Sequence, residues 1–140
     1  MKIRGYRITI LCEALLTLLK WDMTIRHRRF SRWKRHLNDY PLKKAAKLDE
    51  NGAKRLNAHI ECIVRNFPTE LNCMRRSLAL KTMLARRHIN TELRIGVKFD
   101  EHNQLSAHAW LSMDNALLND SHENIEQYTE ITENREKFIA

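Results

Sequence analysis

The sequence predicts an α+β domain in which helices come first and a small antiparallel sheet follows. Apolar residues recur at helical spacing through residues 6–87. Leu93, Ile95, Val97 and Phe99 then alternate with Glu92, Arg94, Gly96 and Lys98, the period of a half-buried strand. Only 3 Gly and 2 Pro in 140 residues leave too few turn formers for an all-β sandwich. The same scarcity excludes collagen-like and low-complexity chains.

A length of 140 residues suits one domain, and a 43% apolar content supports a core. The spacing of polar Thr9, Glu13, Thr17 and Lys20 predicts a first helix over residues 6–21 with one narrow polar stripe. A helix so apolar lies against the same domain, a partner or a membrane surface. The first is the commonest arrangement. Its longest apolar stretch, residues 8–19, is broken by Glu13 and too short to span a bilayer. Pro41 and residues 49–52 read as loop. Ala53, Leu56, Ile60, Ile63, Val64 and Phe67 then mark a second helix, stopped by Pro68. His59 and Cys62 on it read as packing or surface residues.

Asn72 is a good cap for a third helix running from Cys73 to about Arg87, with Asn90 as a candidate stop. After the first strand, residues 100–104 form a polar turn. A second strand covers residues 106–113, with Ala107, Ala109, Leu111 and Met113 on one face and His108 and Trp110 on the other. Asp114-Asn115 suggests a turn, and residues 116–119 a third strand ending at Asp120. The tail from Glu123 is acidic and in part helical.

Charge divides the chain. Residues 1–50 carry a balance of +8, residues 51–100 one of +6, and residues 101–140 one of −6. A basic front and an acidic tail suggest an anionic partner for the front, or pairing of the two ends. The most basic stretch, residues 26–36 (RHRRFSRWKRH), interleaves Phe30 and Trp33 with its charges. It reads either as a solvated helix face or as a binder of phosphates or acidic peptides. Cys12, Cys62 and Cys73 form no CxxC pair, so no thiolate zinc site is implied. Their odd number and the lack of a signal-peptide pattern point to a reducing compartment, the cytoplasm.

One constellation can do chemistry. Cys73 opens a helix, His108 lies on a strand, and Asp120 closes the next strand. A thiol at a helix start sees free N–H groups and the positive end of the dipole, which favour its anionic form. Arg75 and Arg76 add positive charge. An imidazole can shuttle the proton, and a carboxylate can orient the imidazole. The same N–H groups can hold an oxyanion. The hairpin sets a condition. A two-residue Asp114-Asn115 turn pairs His108 with Ser121 and sends Asp120 to the opposite face. An odd loop or a bulge is therefore expected. Otherwise Asn119 or Ser121 becomes the candidate orienter.

The segments NCMRRSLALKTML (residues 72–84), LRIGV (93–97), AHAWL (107–111) and LLND (117–120) resemble the lasso peptide biosynthesis B2 protein family, which are transglutaminase-like cysteine peptidases. The likeness is strongest over residues 53–128. The apolar EALLTLL (residues 13–19) and the basic segment after it resemble the family's N-terminal region less specifically. The resemblance implies a papain/transglutaminase-like α+β fold with the catalytic cysteine at a helix N-terminus. Residues 51–140 would form the peptidase core. Residues 1–50 would form an apolar helix and basic segment packed on it or on a partner.

The resemblance implies catalytic roles for Cys73, His108 and Asp120. It also implies cleft or bracing roles for Arg76, Ser77 and Trp110, and no metal or cofactor. Where members commonly have glycine in the hairpin turn, this chain has Asp114-Asn115, which tolerates the left-handed conformation. The implied activity is removal of the leader from a lasso peptide precursor. The implied partners are that precursor, a leader-binding B1 protein and an asparagine-synthetase-like cyclase. Two rival readings stand beside it. One is acyl transfer to an amine on the same fold. The other is a basic nucleic-acid-binding module using residues 26–35, which ranks lower because it leaves Cys73, His108 and Asp120 without a use.

Overall fold

The computed structural model describes residues 2–29 and 49–131. The elements run α1 (Lys2–His27), α2 (Glu50–Asn66), α3 (Cys73–Arg86), β1 (Glu92–Phe99), β2 (Leu105–Met113), β3 (Ala116–Leu117), α4 (His122–Ile125) and β4 (Thr129–Glu130). The sheet is antiparallel with strand order β3-β2-β1-β4. This is the α+β arrangement expected from the sequence. Phe30, Trp33, Pro41 and most of the basic stretch 26–36 lie outside the described residues, as does the tail beyond residue 131.

Local chemistry starts each helix. Asp49 caps α2 through its Oδ1, which accepts from Gly52 N at 2.8 Å, so the expected loop at residues 50–52 is the first helical turn. Asn72 caps α3 by accepting from Arg75 N at 3.2 Å. The end of α3 falls earlier than Asn90. His88 takes φ 59°, and the N–H groups of His88 and Ile89 return to the carbonyls of Ala85 and Leu84 at 3.0 Å. That pair of bonds satisfies the last carbonyls and stops the helix.

Helix α3 is central, and every residue from Ser77 to Leu84 is buried. Its neighbours supply Ile10, Ala14, Leu18 and Trp21 from α1, and Ala53, Leu56 and Ile60 from α2. Leu111 of β2 and Leu118, just past β3, complete the contact. The first helix is thus part of this domain's own core.

Its polar stripe is only in part its solvent face: Thr9 and Lys20 are exposed, but the middle of the stripe is not. Thr17 is buried, and Glu13 turns inward to Arg87 at 2.7 Å and Arg86 at 3.3 Å. Trp21 Nε1 donates to Thr82 Oγ1 at 2.8 Å. The arginines closing α3 need acceptors, and α1 supplies them. Apolar Ile8, Leu16 and Met23 face outward instead.

The β2–β3 connection is a two-residue turn with Asp114 and Asn115 at φ 49° and 66°. Both residues sit in the left-handed region that such turns demand. The odd loop expected from the sequence is absent, and β3 is shorter than expected. Ser112 pairs with Leu117 and Met113 with Ala116, and Leu118 N still reaches Leu111 O at 3.1 Å. Phe99 and Leu105, opposite one another at the far end of the β1–β2 hairpin, are both exposed, so the apolar alternation runs past the core.

Candidate active site

Asn119 is where the ladder stops. Its Oδ1 accepts from Leu111 N at 2.9 Å, taking the place of a strand carbonyl. Its Nδ2 donates to Ser77 Oγ at 2.9 Å, and Ser77 Oγ donates to Ala109 O at 3.2 Å. This buried chain ties α3 to β2. With backbone pairing ended, the next residue is free of the register that would send it to the opposite face. Asp120 therefore meets His108 without a bulge, through its Oδ2 and His108 Nε2.

Three groups converge on Asp120. Besides His108, Ser121 N donates to Oδ1 at 2.8 Å, and Asn124 Nδ2 reaches Oδ1 at 2.9 Å and Oδ2 at 3.2 Å. Burial is the largest single influence on Asp120 and works to raise its pKa. The hydrogen bonds from His108, Asn124 and Ser121, with the charge of His108, outweigh it and hold the carboxyl below the usual carboxylate value. An ionised carboxylate only accepts, so Nε2 carries the hydrogen and Nδ1 is the nitrogen left for proton exchange.

The ring of His108 is gripped from its own sheet face. Trp110 stacks at 5.9 Å between centroids and Tyr128 at 5.1 Å. Gly96 lies directly across from His108 in the strand register. A Cβ there would meet Tyr128 Cβ at 2.8 Å and Trp110 Cη2 at 2.9 Å. Only glycine leaves both rings in place.

Cys73 is partly exposed as the first residue of α3. The helical ladder gives Cys73 N and Met74 N no intrahelical acceptor. A cavity of about 200 Å³ is lined by Cys73, His108, Asp120, Arg76, Glu61, Ala109, Asn119 and Asn124. The structure thus brings Cys73, His108, Asp120 and Arg76 to one cavity. It places Ser77 and Trp110 behind the wall. Ser77 is buried in the α3–β2 tie and Trp110 is 3% exposed, and neither lines the cavity.

The positive charge expected beside the thiol is largely committed elsewhere. Arg75 pairs with Asp22 at 2.6 Å. Arg76 pairs with Glu61 at 3.2 Å and donates to Leu71 O at 3.0 Å, bracing the chain just before the cap. Asn124, Tyr128, Glu61 and Gly96 were not singled out from the sequence. Asn124 had a readable signal, since it stands four residues after Asp120 in a segment capped by Ser121. Tyr128 had none, because it arrives by crossing the sheet. Among the described residues there is no cluster of His, Cys, Asp and Glu fit to hold a metal ion.

A half-buried cysteine at a helix start and a carboxylate-bound histidine thus line one cavity beside the sheet. A family model of the transglutaminase-like superfamily matches residues 15–133, and the chain belongs to that superfamily. Its members are typically cysteine-protease-like enzymes. No curated protein and no solved structure gives a match. No helix among the described residues is long and apolar enough to cross a membrane.

Proposed function

We propose that the protein is a cysteine peptidase that removes the leader from a lasso peptide precursor. The observation that carries the chemistry is the His108–Asp120 hydrogen bond beside the cavity that Cys73 lines. The substrate assignment is supported by the resemblance of residues 72–84, 93–97, 107–111 and 117–120 to the lasso B2 family.

The Cys73 thiol gives its proton to His108 Nδ1, and the sulfur attacks the carbonyl carbon before the core peptide. The Cys73 and Met74 N–H groups face the developing oxyanion. The imidazolium passes its proton to the leaving amine, the C–N bond breaks, and the leader remains as a thioester. Water then attacks with Nδ1 as base. The leader leaves as a carboxylic acid and the thiol is restored. Asp120 holds the ring throughout. The freed amine is the group a cyclase of the asparagine-synthetase type would join into a ring. A leader-binding B1 protein would present the substrate, and the reaction would run in the cytoplasm.

The test is mass spectrometry of precursor incubated with purified protein and leader-binding partner. Cleavage before the core is expected, and none with Cys73→Ala. Cleavage surviving in Cys73→Ala overturns the mechanism. Membership in a transglutaminase-like superfamily favours one further reading, transfer of the acyl group to an amine. An amide product, in place of the free acid, would select it.

A further inference from the structure

We propose that the outer edge of β2 at Ala107 is the docking strand for substrate: an extended peptide adds to the sheet there and is delivered to Cys73. The inference rests on the hydrolase reading and assigns where the peptide backbone binds.

Strand parity carries the argument. Leu111 O accepts from Leu118 N at 3.1 Å and Leu111 N donates to Asn119 Oδ1 at 2.9 Å, so both Leu111 groups face away from β1. A period of two puts the N–H and C=O groups of Ala109 and Ala107 on the same side. Ser77 Oγ occupies Ala109 O at 3.2 Å. Strand β3 covers only Ser112 and Met113. Ala107 is exposed, and its N–H and C=O have no partner among the described residues.

The open edge has a defined end. Ala107 directly precedes His108, and Ala109 lines the cavity. Ser77, which closes the edge at Ala109, stands one helical turn beyond Cys73. A strand laid along Leu105 and Ala107 therefore runs up against the start of α3. Exposed sheet edges are usually blunted by lysine, proline or a bulge. Leu105-Ser106-Ala107 has none of these, and its pairing with β1 is regular. An unblunted edge leading into a cavity suits β-strand addition by a peptide. Leu105 and Phe99, paired in register and 63% and 67% exposed, offer an apolar contact to a side chain further from the scissile bond.

The experiment compares alkylation of Cys73 by methyl vinyl sulfone, by a panel of acetyl-tripeptidyl vinyl sulfones, and by their backbone N-methylated forms. In each, the sulfur adds to the vinyl carbon and a proton completes the adduct. Mass mapping separates Cys73 from exposed Cys12 and Cys62. The peptide portion is expected to accelerate alkylation of Cys73 by roughly 10-fold or more, the scale of one or two backbone hydrogen bonds. N-methylation, or Ala107→Pro in the protein, is expected to remove most of that gain, read in each protein as the ratio of the peptide reagent's rate to that protein's own methyl vinyl sulfone rate. Proline is tolerated where an edge N–H faces solvent, and the N-methylated reagents need no variant.

If Cys73 reacts with none of these reagents, the hydrolase reading falls and takes the docking edge with it. If Cys73 reacts but the peptide portion gives no gain, the docking edge alone is overturned. A gain that survives both N-methylation and Ala107→Pro overturns it as well. A rate that falls as sedimentation detects dimers assigns the edge to a second copy of the chain, which also overturns it.

Discussion

Gly96→Ala is expected to destabilise the domain and loosen its histidine together. The added Cβ would sit 2.8 Å from Tyr128 Cβ, 2.9 Å from Trp110 Cη2 and 3.0 Å from Trp110 Cζ3. Carbon atoms rest about 3.5–4.0 Å apart, so each neighbour must yield by more than half an ångström. Neither is a flexible tip. Tyr128 Cβ is bound to the backbone just before β4, and Trp110 is buried with its ring stacked on His108. Overpacking of this kind costs about 1–3 kcal/mol. At roughly 4 °C per kcal/mol for a chain of this size, the midpoint should fall by about 4–12 °C. Urea denaturation gives the free energy and calorimetry the midpoint. Tyr128 and Trp110 flank His108, so the alkylation rate of Cys73 by methyl vinyl sulfone should change in the same variant. Wild-type stability within about 0.5 kcal/mol would refute the claim that an absent side chain at Gly96 is what seats the two rings.

Other perturbations separate the remaining parts of the argument. Asn119→Ala removes the bonds to Leu111 N and Ser77 Oγ. A loss of about 2–3 kcal/mol in chemical denaturation is expected, and a loss under about 0.5 kcal/mol would deny the α3–β2 tie. Trp21→Phe strips the donor from Thr82 Oγ1, and about 1 kcal/mol should be lost in the same assay. Asp120→Asn should lower precursor cleavage by roughly 10²–10⁴-fold, and full activity would remove the carboxylate from the mechanism.

The pH dependence has a definite sign. Asp120 is more acidic folded than unfolded. The unfolded chain therefore binds more protons in the acid window, and stability rises with pH there. The contribution is complete above the ordinary carboxylate value of about 4 and is lost as pH falls through the lower folded value. The stability gap between wild type and Asp120→Asn should narrow below about pH 4 in urea titrations. A gap that widens there would reverse the assignment.

Much of the helical half was legible because local chemistry settles it. Asn72 before Cys73 is a side-chain cap, and it caps α3. Apolar spacing located the buried face of α2, while Asp49 moved its start a turn earlier by capping what looked like loop. Which way the polar stripe of α1 faces was not legible. Glu13 and Thr17 look like a surface stripe until Arg86 and Arg87, some 70 residues away, require acceptors. Strand β4 was not legible. Two residues in an acidic segment carry no period, and they pair with Gly96 and Val97 because the chain crosses the sheet to reach them.

The sequence by itself determined what depends on neighbours along the chain. That includes the helix-opening place of Cys73, the alternation of β1 and β2, and a turn at Asp114-Asn115 whose residues accept positive φ. Only the tertiary structure decided how Asp120 reaches His108. Strand parity alone sends that carboxylate to the wrong face, and it is the Asn119 side chain, standing in for a backbone carbonyl and anchored to Ser77 on another element, that releases the chain from its register. Periodicity describes a chain while its backbone bonds to a neighbouring strand. Where a side chain takes over that bond, geometry comes from contacts distant in sequence, and no local pattern records them.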